Sequence, residues 1–209
     1  SIGSATDPYQ PAESSYRITR RVLEIFMERA WPVEVGTKSD LILGDLDLLA
    51  ELSRRSGAAV YVTITTLNES LARALEPRAP PSGRRLEVVE TLSSIGVETC
   101  VAVIPVFPYL TADESRLIEL AREARKAGAE CILIGALTLD ADVRRRLYPV
   151  LDRLRPGLSA LYDRMYGRSS FPPSDFEGRL ARIEERIRKE FGFSRLPEVA
   201  RQGLDRALA

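Results

Sequence analysis

Runs of β-branched and apolar residues alternate along the chain with longer stretches whose apolar residues recur every three or four positions. Five runs predict strands: Ser1–Ala5, Val33–Thr37, Ala59–Thr65, Glu98–Pro105 and Glu130–Ala136. Helical spacing covers about Ser15–Ala30, with Val22, Ile25, Phe26 and Arg29 on one side. It returns over about Asp45–Arg55 through Leu46, Leu49 and Leu52, then over about Arg84–Ile95 and Ala112–Ala127. The last two end at Gly96 and Gly128, and each glycine leads into a strand, so the two junctions read as equivalent. Such a βαβ series predicts a parallel sheet with right-handed connections.

After about Asp140 the strand signals cease. A helix beginning near Arg144–Arg146 is expected to be interrupted by Pro149 and Pro156, with a further segment at Leu158–Tyr166. A Gly-Ser-Pro loop over Gly167–Ser174 precedes an amphipathic helix with Phe176, Leu180, Ile183, Ile187 and Phe191 on its apolar face. Residues 1–140 thus read as the α/β unit and 141–209 as a helical extension packed on or capping it. Because Ser1-Ile-Gly-Ser-Ala-Thr reads as a strand already under way, sequence preceding it is expected.

In parallel sheets of either the doubly wound or the barrel kind, ligands meet the C-terminal strand ends. Polar residues gather there: Thr6 and Asp7, Thr37 and Lys38, Thr63 to Thr66, Pro105 onward, and Gly135 to Thr138. Lys38 supplies a compact charge suited to a carboxylate or phosphate. Asp7, held between Pro8 and Pro11, can accept from an ammonium or hydroxyl, and Thr63 and Thr65 share one strand face by alternation. Glu76 is expected to meet Arg84 or Arg85 as a surface pair.

Composition narrows the chemistry. The 209 residues hold 30 basic and 30 acidic side chains, no histidine and two cysteines. A triad that needs imidazole and a histidine-ligated zinc are therefore excluded, as is any site that draws four cysteines from this chain. Balanced charge argues against a field over the whole surface that would attract nucleic acid. No glycine-rich phosphate loop appears, which argues against a nucleotide triphosphatase. Cys100 and Cys131 lie in apolar strand runs and are expected to be buried free thiols. No signal peptide and no membrane-length apolar run is present, which predicts a cytoplasmic protein with no membrane partner.

Several segments, in this order, carry a resemblance. They are Asp7-Pro-Tyr-Gln-Pro-Ala-Glu, Thr19-Arg, Thr37-Lys-Ser-Asp, Asp45-Leu-Asp-Leu-Leu, Thr63-Ile-Thr-Thr-Leu, Glu76-Pro, Arg85-Leu and Ile104-Pro-Val-Phe-Pro. Over about residues 1–140 the chain resembles the spore photoproduct lyase-like (DNA repair photolyase-like) branch of the radical SAM superfamily. The resemblance implies a partial (β/α)6 barrel whose strand ends hold S-adenosylmethionine (SAM) and a [4Fe-4S] cluster. It also implies a lyase-type reaction begun by reductive SAM cleavage, a reductant such as ferredoxin or flavodoxin, and a nucleic acid as candidate substrate. By family position Thr6 and Lys38 would hold the methionine moiety, with Lys38 on its carboxylate. Thr63, with Thr65 beside it, would contact SAM, Pro105 and Gly135–Leu137 would border the adenine, and Asp7 would organise its loop.

Two departures accompany the resemblance. The family's Cys-x3-Cys-x2-Cys motif is absent from this sequence, and Cys100 and Cys131 have the wrong spacing to replace it. The five strands then correspond to a barrel without its first strand, and the cluster ligands are expected upstream of Ser1. The family's hydrogen-donating cysteine falls at Ser4, whose O–H bond is too strong for that task. Two other readings remain open at this point. One is a non-catalytic nucleotide- or nucleic-acid-binding module using Arg144–Arg146, Arg153 and Arg155. The other is a metal-independent barrel enzyme working with Asp, Glu, Lys or Tyr.

Overall fold

A computed structural model of the chain describes residues 1–200. Four parallel strands form one sheet in the sequential order β1 (Val33–Thr37), β2 (Ala58–Thr63), β3 (Glu98–Val106) and β4 (Cys131–Ala136). The order never reverses, so right-handed connections place the crossover helices on one face. These are α3 (Leu46–Arg55), α5 (Ser82–Ser94) and α6 (Glu114–Lys126). A short α1 (Glu13–Tyr16), α2 (Ile18–Glu28) and a seven-residue α4 (Glu69–Leu75) accompany them.

The strand register sorts the side chains into two faces. Val35 and Val60 lie alongside Thr99, and Thr37, Val62, Val101 and Ile132 form the next row. That face is buried against Leu49, Leu52, Val88, Leu92, Leu117 and Leu120 of the helices, forming the main core. Fully burying each such aliphatic side chain is worth about 1.5–3 kcal/mol. Glu34, Tyr61, Thr63 and Ile104 belong to the opposite face, where Ile104 is exposed and the other three half-buried. The helix–glycine–strand junctions form as expected, with φ of 78° at Gly96 and 93° at Gly128.

The first expected strand, Ser1–Ala5, is reduced to one bridge. Ile2 pairs with Val35, donating its N–H to Glu34 and accepting from Gly36. At Gly3 the backbone turns to φ 99° against the Gly36 carbonyl, and the chain leaves the sheet. The expected helix at Ser15–Ala30 breaks at Arg17, with φ 48°. The Glu13 carboxylate then caps α2 by accepting from the N–H groups of Thr19 (2.7 Å) and Arg20 (3.3 Å). Its buried residues are Thr19 and Leu23 rather than the expected set, and Ile25 is 50% exposed.

The C-terminal segment divides its packing. Helix α7 (Ala141–Leu154) runs through Pro149 without the expected interruption and stops before Pro156, where Arg155 is extended as residues preceding proline tend to be. With α8 (Leu158–Tyr166), it builds a second apolar cluster around Leu139, Leu151, Tyr162 and Tyr166. Helix α9 (Ser174–Phe191) instead sends Leu180, Ile183 and Ile187 into the main core. It also protects the outer edge of β4, where the Glu184 carboxylate accepts from the Ile134 N–H at 2.9 Å.

The cysteines correct the sequence reading. Cys100 and Cys131 are register partners on adjacent strands, with Cα atoms 4.5 Å apart, and are joined as a disulfide rather than left as free thiols. Each run by itself looks like the site of a small buried hydrophobe. Only strand pairing brings the two sulfurs together.

Candidate site at the C-terminal strand ends

Strand β1 delivers Thr37 and Lys38 to the rim, and the N-terminal loop is pinned beside them by Asp7. One Asp7 oxygen accepts from the Thr37 hydroxyl (2.7 Å) and the Tyr9 N–H (2.9 Å), and the other from the Lys38 N–H (2.8 Å). Three donors occupy the carboxylate, so Asp7 orders the loop. Nearby, Tyr9 is buried and donates to Asp45 at 2.9 Å. Burial, followed by the Asp45 charge, raises its pKa far above the usual tyrosine value.

Beyond Thr37 a charged chain crosses the ends of β1 and β2. The Lys38 ammonium lies 3.3 Å from one oxygen of Glu76, with side chains 37% and 11% exposed respectively. The other Glu76 oxygen receives the Arg85 guanidinium at 2.8 Å and the Thr65 hydroxyl at 3.3 Å. Arg85 is 1% exposed and also donates to the carbonyls of Thr63 (2.9 Å) and Pro80 (2.8 Å). The expected surface pair at Glu76 is therefore a largely buried one. Arg84 turns outward instead, to Asp40 and Glu87. A sequence signal for this existed, because Arg85 shares helical spacing with the buried Val88, Val89 and Leu92.

The predicted site residues do not form one group. Lys38, Thr63 and Thr65 converge on the Glu76–Arg85 pair, although β2 ends at Thr63 and Thr65 is buried rather than presented on a strand face. Ser4 and Thr6 are exposed and line, with Asp7, a groove of about 480 Å³ against α2 that does not include Lys38. Pro105 and Gly135 lie on β3 and β4, and a Cβ at Gly135 would come within 3.1 Å of the Ile104 side chain. Gly135 thus makes room for Ile104. Leu137 is buried in the second cluster, and its carbonyl accepts from the Tyr166 hydroxyl at 2.9 Å.

The residues fit the two expected cofactors unequally. A half-exposed ammonium at a strand end suits the carboxylate end of SAM. A [4Fe-4S] cluster is not matched: both cysteines are bonded to each other, and no group of three or more His, Cys, Asp or Glu among the described residues has metal-binding geometry. Arg144, offered above for phosphates, is internally engaged. It donates to the carbonyls of Leu139, Gly167 and Ser169, to the Tyr148 hydroxyl and to Asp163. Among the described residues, no helix is long and apolar enough to cross a membrane.

Comparison with known proteins finds relatives in three kinds of source. An uncharacterized protein of Mycobacterium tuberculosis is 30% identical over 189 residues, which is 90% of this chain and 56% of that protein. An uncharacterized protein of Acidianus two-tailed virus is 37% identical over 107 residues, covering 51% of this chain and 34% of its own length. One from Methanocaldococcus jannaschii is 31% identical over 109 residues, 52% of this chain and 40% of that protein. The chain thus spans about half the length, or less, of these curated relatives. No family model matches it.

Proposed function

We propose that the strand-end rim binds SAM, and that the chain is the SAM-binding part of a radical SAM enzyme resembling spore photoproduct lyase, built as a partial barrel. The observation that carries this reading is the half-exposed Lys38 ammonium, held at the end of β1 by a carboxylate that buried Arg85 anchors. Sequential parallel strands with helices on one face support it, since a barrel wall needs that arrangement. Bound there, SAM would supply the chemistry of hydrogen abstraction, its reductive cleavage taking an electron from a reductant such as ferredoxin or flavodoxin. This chain's residues do the holding: Lys38 pairs the ligand carboxylate, Asp7 fixes the loop beside it, and Thr63 offers its hydroxyl from the half-buried face. The substrate class proposed for the whole protein is a nucleic acid.

Ligand-observed NMR on the wild type and Lys38→Met tests the site. SAM binding should weaken about tenfold in the variant, the scale of one charge-assisted contact. Methylthioadenosine, which lacks the carboxylate, should bind both proteins alike. Equal SAM affinity in the two proteins would sink the reading.

A further inference from the structure

The side chains of Lys38, Glu76 and Arg85 place two cations and one anion in a single bonded chain at the rim, and the Asp7 carboxylate lies beside them on the Lys38 backbone N–H. Arg85 is sequestered from solvent, and its charge is matched by Glu76 at 2.8 Å. Lys38 shares that same carboxylate at 3.3 Å and remains 37% exposed. These three side chains therefore carry a net single positive charge, which the neighbouring Asp7 carboxylate does not raise, and their accessible member is the ammonium. Glu76 is tied by Arg85 and Thr65 on one oxygen, so it cannot follow Lys38 out to solvent. It acts on Lys38 in two ways, limiting where the ammonium points and cancelling one of the two charges that an anion would meet.

We infer that Glu76 is the specificity-determining and positioning residue of the rim, selecting a monoanionic carboxylate over a dianionic phosphate. The inference rests on the proposed SAM site and adds the charge class that the site accepts. A dianion brought to Lys38 would meet the Glu76 carboxylate at close range, with only one uncompensated cation to balance it. A monoanionic carboxylate is neutralised by that cation alone. Thr65 and Arg85 keep the arrangement fixed before the ligand arrives, so little ordering is needed on binding.

Replacing Glu76 by the isosteric neutral amide should move the two ligand classes in opposite directions. In Glu76→Gln the net charge of the group becomes two, and Lys38 loses its anchor. Ligand-observed NMR near pH 8, where inorganic phosphate is mainly dianionic, measures SAM and phosphate binding to the wild type, Glu76→Gln and Lys38→Met. SAM should bind at least about fivefold more weakly to Glu76→Gln, while phosphate should bind at least about fivefold more tightly. A partly unfolded variant would lose both, so the opposite signs separate selectivity from damage. Parallel weakening, parallel tightening or no change would overturn the inference. If Lys38→Met weakens SAM binding but Glu76→Gln gives no such split, only the role of Glu76 falls. If the wild type does not bind SAM, or Lys38→Met binds it equally well, the site reading fails as well.

Discussion

Two of the arginine-centred networks among the described residues end differently. Arg144 distributes its donors over three carbonyls, a tyrosine hydroxyl and Asp163, tying α7 to the loop after α8. Every contact closes back on the protein. Arg85 is more deeply buried, yet its network runs outward through Glu76 to an ammonium at the strand ends. A closed network organises a segment. An open-ended one delivers charge to a surface where a ligand can use it. Counting arginines would have favoured Arg144–Arg146 as the binding site, whereas following the hydrogen bonds favours Lys38.

The sharpest way to break this contrast is Arg85→Met. It leaves Glu76 largely buried without its main partner, and should cost about 3 kcal/mol or more in urea unfolding. A cost near zero would show that the pair is replaceable and that Lys38 does not depend on it. Arg144→Ala should cost less, about 1 kcal/mol, because Asp163 is 59% exposed and water can replace the lost bonds. It should leave SAM binding unchanged, and a loss of binding would reverse the assignment of roles.

The smallest effect concerns a third network, on the surface between α2 and α3. Arg20 bonds both oxygens of Asp47, and chiefly through those bonds holds its carboxyl at about 2, against an ordinary value of 3.8. A depressed folded-state value stabilises the protein above the unfolded value. This contribution should be complete above about pH 4 and disappear as pH falls towards about 2. Urea midpoints across that window should show a shallower slope for Asp47→Asn than for the wild type.

Particular residues show what could be read in advance. The strand runs, the glycine ends of α5 and α6 and the apolar face of α9 were legible because each depends on neighbours within a few positions. Lys38 was legible as a rare charge at a strand end. Its partner was misplaced on the surface, because burial of Arg85 depends on how α5 meets the end of β2. Asp7 looked available from its loop sequence, but Thr37, Lys38 and Tyr9 satisfy it across a gap of up to 31 positions. Ser1–Ala5 has strand composition, but the turn at Gly3 limits its pairing to Ile2.

The sequence by itself determined the βαβ alternation, the parallel sheet and the absence of any imidazole chemistry, because local spacing and residue type carry that information. Tertiary structure alone decided that Cys100 bonds Cys131, that Asp7 is consumed in the loop, and that Glu76 joins Arg85 to Lys38. These depend on strand register and helix docking, which bring together groups far apart in sequence and determine which charges water still reaches.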